Sequence, residues 1–220
     1  MLLAEDLLIL LIRESTGEIP KRVGTRRVLA AAVLAELAAA GRVTADVDPT
    51  CLTVLDRTPL GDPVLDEALA VIEPGPVTAV VRLVMPGLLV RLLDRLAAQG
   101  VLMPRARRWV PVTSRFVWRV ADTTRSEQLR AQLAAVLRGQ AQPDRRTATM
   151  IALLHAVDGV EEIVAEPAAQ MRAGEISESH WPEGSVIKTV AEEIAPVPWV
   201  MAGAVITVLL VGGVWLRRHG

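Results

Sequence analysis

Apolar positions recur along most of the chain at helical spacing. Leu2, Leu3, Leu7, Leu10 and Leu11 share one stripe, which predicts an amphipathic helix over Met1–Ile12. Thr25 is an N-cap for a helix over Arg26–Ala40, and Gly41 stops it at the C′ position. A β-prone pair follows, Arg42–Val47 and Cys51–Leu55, turning at Asp48-Pro49. Asp62-Pro63 is an N-cap followed by proline at the first helical position, opening Val64–Ile72. Glu73-Pro74-Gly75-Pro76 breaks that helix, and Pro86-Gly87 interrupts the apolar run that follows. Leu88–Gln99 is helical and ends at Gly100; Val101–Val120 alternates and reads as a second hairpin. Thr124-x-x-Glu127 is a capping box for a helix ending at Gly139. Asp144–Val157 is the most apolar interior helix, and helices near Glu161–Arg172 and Ser185–Ile194 complete the set. The fold class is therefore mainly α, a single helical domain with one or two projecting β-hairpins and an apolar C-terminal helix.

Two helix ends echo each other. Leu34–Gly41 resembles Leu93–Gly100, and each precedes a hairpin. Helix, glycine stop and hairpin is also the layout of a winged helix. This opens an alternative reading as a DNA-binding protein with a basic wing at Arg105, Arg107, Arg108, Arg115 and Arg119.

Composition supports helix over sandwich. Hydrophobic residues make up 51% of the 220, while aromatics are only 3%, so the core is built from Leu, Val and Ala. Cys51 is the sole cysteine, which excludes a disulfide framework and a cysteine-rich metal site. Arg outnumbers Lys 22 to 2, a bias of GC-rich bacterial genomes.

The ends of the chain separate anchored from peripheral readings. Met1–Ile12 carries Glu5 and Asp6 and no basic leader, so it does not read as a signal peptide. Ala195–Leu216 is 22 residues without a charge. As a helix it would extend about 33 Å, enough for a hydrocarbon core of ~30 Å. Trp199 and Trp215 sit near its ends as interfacial aromatics do. A membrane span and a buried final helix both remain open, since Gly203, Gly212 and Gly213 allow close packing. The expected division is 1–195 for the helical body and 196–220 for the apolar C-terminal helix. Localisation follows as the cytoplasmic face of a membrane, either peripheral or integral through 196–216.

Net charge is −1, but it is uneven. Arg82–Arg119 holds eight Arg against Asp94, Lys21–Arg42 holds five bases against Glu36, and Asp158–Glu193 holds nine acids against two bases. Basic segments sharing a face attract phosphate or an anionic membrane. The competing reading is that these arginines pair with the acidic third.

Catalytic patterns are missing. No HExxH, Walker A, GxGxxG or GxSxG motif occurs, and adjacent acids such as Asp66-Glu67 diverge on a helix. His155 lies in an apolar helix and reads as a core histidine. The expectation is a protein with no enzymatic activity, no cofactor and no metal.

Five ordered stretches resemble the Golgi phosphoprotein 3 family, in its bacterial branch. They are Leu2–Ile12 with Gly17, Glu36–Val43, Gly61–Leu69, Arg91–Leu102 and Asp144–Asp158. The resemblance implies a mainly helical domain with a projecting hairpin. Eukaryotic members bind phosphatidylinositol 4-phosphate and link Golgi enzymes to vesicle coats. The family's headgroup tryptophan falls at Lys21 and its arginines at Ala30, Pro86 and Leu89, so none is kept. Lys21, Arg22, Arg26, Arg27, Arg91 and Arg95 are the neighbouring cations that could replace them, since an arginine fork matches phosphate oxygens. The hairpin offers Trp109, Phe116 and Trp118 with Arg105, Arg107, Arg108, Arg115 and Arg119 as a membrane-facing set. The expected partner is an anionic phospholipid membrane, with self-association through the hairpin and no nucleic acid.

Overall fold

The computed structural model describes residues 1–13, 16–19, 24–45, 51–105, 117–121, 123–179 and 190–191. The sequence-predicted turn at Asp48-Pro49, the hairpin tip, the Ser185–Ile194 helix apart from Val190 and Ala191, and the apolar tail 196–220 lie outside them.

Two helices form the centre. α1 (Leu3–Leu11) and α2 (Gly24–Ala39) pack together, and every residue of α1 is buried. The single apolar stripe expected for the first helix is therefore corrected: its polar side is buried as well. Glu5 and Asp6 are both 0% exposed. Carboxylates are tolerated there only because guanidinium groups meet them. In α2, alanine at positions 30, 31, 32 and 35 lets neighbouring helices approach closely.

Around this pair stand α3 (Pro63–Val71), α4 (Val77–Val84) and α5 (Leu88–Ala98) against α2, with α6 (Thr124–Leu137) and α7 (Arg145–His155) against α1. α8 (Pro167–Ser179) packs on α6 and α7. Asp62 caps α3 as expected, accepting from the Val64 and Leu65 amides at 3.0 and 3.4 Å. Asp144 caps α7 through the Thr147 amide at 2.7 Å. The Arg57 guanidinium closes the other end of α3, donating to the Leu69 and Ile72 carbonyls at 3.0 and 2.9 Å.

The echoed helix ends are structurally alike. Gly41 and Gly100 adopt φ of +69° and +73°, where a side chain would be strained. Beyond each glycine the next amide reaches back to the helix: Arg42 to the Leu37 carbonyl at 2.8 Å, and Val101 to Leu96 at 2.9 Å. A hairpin follows in both cases. β1 (Val43–Ala45) pairs antiparallel with β2 (Cys51–Val54), with Val43 opposite Val54. β4 (Leu102–Arg105) pairs with β5 (Val117–Val120), with Leu102 opposite Val120.

Four local expectations change. Thr25 does not cap α2 from outside: the helix already includes Gly24, and Thr25 is a buried residue of its first turn. Gly75–Pro76 is not only a breaker: it forms β3, a short edge strand on β2. The Thr124–Glu127 capping box does not form, because Thr124 is already helical and Thr123 holds the cap position without a side-chain cap bond. The helix placed at Glu161–Arg172 is a 3-10 turn, Val160–Glu162, followed by α8 from Pro167. Proline suits a first helical position and not an interior one, so Pro167 sets the start.

Candidate functional site

Two groups of arginines can be compared. The first surrounds the start of α1. Asp6 accepts from Arg125 Nε and Nη2 at 2.7 and 2.8 Å and from Arg146 Nη2 at 2.9 Å. Glu5 caps its own helix by accepting from the Leu2 amide at 2.6 Å, and its other oxygen lies 2.9 Å from Arg95 Nε. Arg95 also donates to the α3 cap residue, Asp62, at 2.8 Å. Glu36, near the end of α2, accepts from the Leu3 amide at 2.7 Å and stands 3.5 Å from Arg146. Three guanidiniums thus hold four carboxylates and clamp α1 to α2, α3, α5, α6 and α7.

Burial pushes the Glu36 carboxyl above its ordinary range, although the Leu3 amide and Arg146 work against the shift. For Arg146, burial opposes the charge, but the hydrogen bond to Asp6 and the charges of Asp6 and Glu36 outweigh it and hold the cation more firmly. The chemistry of this cluster is that of a structural clasp. None of its arginines is left over for a ligand.

The second group is free of such ties. Arg26 is exposed and Arg27 half-buried on the first turn of α2, and neither makes a hydrogen bond or ion pair with the described residues. Arg119 is exposed on β5, also without a partner among the described residues. It borders a cavity of about 270 Å³ with Ile12, Gly17, Trp118 and Thr123. The hairpin is fixed to the α1–α2 connection where the Trp118 amide donates to the Gly17 carbonyl at 2.9 Å. Gly17 has φ of +68°, and a Cβ there would strike the Trp118 backbone.

The six cations expected to read a headgroup are therefore not one cluster. Arg95 is held by Glu5 and Asp62, and Arg91 lies 3.0 Å from Glu67 while donating to the Pro86 carbonyl at 3.2 Å. Arg95 meets α1 beside the Glu36 end of α2. Glu36 is nine residues past Arg27, about 14 Å along the helix axis. Arg26 and Arg27 remain open to solvent, and Lys21 and Arg22 lie outside the described residues. On the hairpin, Trp118 is half-buried and Arg119 exposed. Arg105 ends β4, while Arg107, Arg108, Trp109, Arg115 and Phe116 lie outside the described residues. Ion pairs to the acidic third do occur, at Arg13–Glu162 (3.5 Å) and Arg138–Glu166 (3.1 Å), and they use neither Arg26, Arg27 nor Arg119. The clasp at Glu5 and Asp6 was not foreseen. Its signal was two adjacent acids, Glu5 and Asp6, in the otherwise apolar stretch Met1–Ile12, a placement that demands cationic partners.

A helical body whose central helix is buried on all sides, with a hairpin tied to the loop after that helix, defines the class of domain. The sequence model of the Golgi phosphoprotein 3 (GPP34) family matches residues 3–193, and the chain belongs to that family. A search of curated proteins finds no match. Among the described residues no helix is long and apolar enough to cross a membrane, and the segment 196–216 lies outside them.

Proposed function

We propose that the chain is a non-enzymatic module that binds anionic phospholipid, of the phosphatidylinositol 4-phosphate kind, at a membrane surface. The observation that carries this reading is that, among the described residues, Arg26 and Arg27 at the positive end of α2 and Arg119 beside Trp118 have no partner, as is also true of Arg82 on α4 and Arg145 on α7. Elsewhere the fold neutralises its buried acids with arginine, so guanidiniums left in solvent stand out. A fork of N–H donors suits phosphate oxygens, and an indole suits the interfacial zone above acyl chains. Family membership supports the same reading. The hairpin is proposed to lie against the membrane or against a second hairpin, and the site of action to be the cytoplasmic face. The substituting headgroup set narrows to Arg26, Arg27 and Arg119, joined by Lys21 and Arg22.

Vesicle flotation tests the proposal. The full chain is expected to float with vesicles containing phosphatidylglycerol or phosphatidylinositol 4-phosphate far better than with phosphatidylcholine alone. Equal recovery on both would remove the headgroup claim. Retardation of duplex DNA with a steep salt dependence would favour the winged-helix alternative instead.

A further inference from the structure

The cavity at the base of the β4–β5 hairpin has walls that suit one class of small molecule. Its volume of about 270 Å³ lies just under the ~300–1,000 Å³ of sites that take drug-sized ligands. One side is the connection after α1, where a tight turn is closed twice: the Gly17 amide donates to the Arg13 carbonyl at 2.6 Å, and the Arg13 amide to the Glu18 carbonyl at 3.1 Å. The other side is β5 with the start of α6. The Trp118 amide pins β5 to the Gly17 carbonyl, so the two sides are already in place before anything enters, which lowers the ordering cost of binding.

The lining divides by polarity. Ile12, Val117 and Val120 are buried and form an apolar floor, while Arg119 and Thr123 are exposed and stand at the mouth. Three backbone donors of the lining are already used: the Gly17 amide on Arg13, the Trp118 amide on Gly17, and the Ala121 amide on the Val101 carbonyl at 2.9 Å. Among the described residues of the lining Arg119 carries the only charge, and it has no partner among them. Thr123 holds the cap position of α6 without a side-chain cap bond. Two side-chain donors without a carboxylate, set over an apolar floor, select an anionic oxygen head joined to a short alkyl chain. We infer that this cavity binds a single-chain anionic amphiphile, a phosphate or carboxylate head on an alkyl chain, with the head on Arg119 and Thr123 and the chain against Ile12, Val117 and Val120. The inference rests on the lipid-surface reading only through Arg119 and goes beyond it, since a molecule in this cavity needs no membrane.

Calorimetric titration of the full chain with octyl phosphate, below its micelle concentration, tests the site. One molecule per chain is expected to bind. Its affinity should exceed by about tenfold or more that of inorganic phosphate, which lacks the chain, and of octyl glucoside, which lacks the charge. Arg119→Gln is expected to lose about tenfold in affinity for octyl phosphate, and Ala121→Trp, which places an indole in the lining, to lose more. Both positions are exposed, and thermal unfolding close to that of the parent shows that each variant folds. Flotation of Ala121→Trp on phosphatidylglycerol vesicles separates two sources of the chain: weakened flotation assigns it to a bilayer lipid, unchanged flotation to a free amphiphile. Octyl phosphate that binds the parent and Ala121→Trp alike, or in several copies per chain, or no better than octyl glucoside, overturns the site. A parent protein that floats on anionic vesicles but does not bind octyl phosphate overturns the site and leaves the lipid reading standing. Octyl phosphate binding without flotation removes the lipid reading and leaves the site.

Discussion

Asp6 allows a sharp test of how the central helix is held. Its carboxylate is 0% exposed, whereas the side chains of Arg125 and Arg146 that bind it are 43% and 42% exposed. The two sides of the clasp therefore differ in what happens when the other is removed. Truncating both arginines leaves a carboxylate in the core that water cannot reach. Breaking a buried pair in this way costs about 3–5 kcal/mol, and the half-exposure of the arginines brings the expected loss for Arg125→Ala with Arg146→Ala to about 3 kcal/mol. Removing the carboxylate instead, by Asp6→Asn, frees two guanidiniums that water can solvate, so its cost is about 1–2 kcal/mol. The decisive combination is the triple variant. Adding Asp6→Asn to the double arginine variant removes the stranded charge and is expected to restore about 1 kcal/mol or more. Urea unfolding followed by far-ultraviolet circular dichroism measures all four proteins. If Asp6→Asn costs more than the double arginine variant, or destabilises it further, the account of α1 as a buried acid held by half-exposed cations is wrong.

Glu36 gives a pH dependence of opposite sign from most carboxylates. Burial raises its folded pKa above the ordinary 4.5, so the folded state takes up a proton first as pH falls. Relative to Glu36→Gln, the parent protein should gain stability as pH falls through that raised value and level off below 4.5; a parallel pair of stability curves would refute this. Asp144 behaves conversely, because the Thr147 hydroxyl and amide hold its pKa below 3.8. Asp144→Ala should cost about 1 kcal/mol at neutral pH, and the difference should fade as acid protonates the folded-state carboxyl. Gly17→Ala combines a positive φ with a collision against the Trp118 backbone, so hydrogen exchange at the Trp118 amide should accelerate more than exchange in α2. Unchanged protection would show that the hairpin does not depend on this junction.

Much of the frame was legible in the sequence because its punctuation is local. Asp62-Pro63, Asp144, Gly41 and Gly100 each act within a few residues, and each ends or begins a helix where expected. The Thr124 box misled because an equivalent threonine precedes it and no side chain closes the cap. The start of α8 has a local signal as well, Pro167 at the first helical position, and it places the helix later than Glu161. The burial of Glu5 and Asp6 could not be read locally, since their partners Arg95, Arg125 and Arg146 lie about 90 to 140 positions away. The same long-range pairing decides the candidate site. Charge blocks in the sequence gave Arg91 and Arg95 the same standing as Arg26 and Arg27; only the fold distinguishes cations that hold acids from cations left in water.

The central claim is that the arginines at the start of α2 and on β5, which have no partner among the described residues, read anionic phosphate. Equilibrium binding of the full chain to phosphatidylglycerol-containing vesicles, compared with Arg26→Ala, Arg27→Ala and Arg119→Ala combined, tests it most directly. Each cation near such a surface contributes about 1 kcal/mol, so the triple variant should bind about a hundredfold more weakly and show a shallower dependence on salt. Binding unchanged in affinity and salt dependence would contradict the claim.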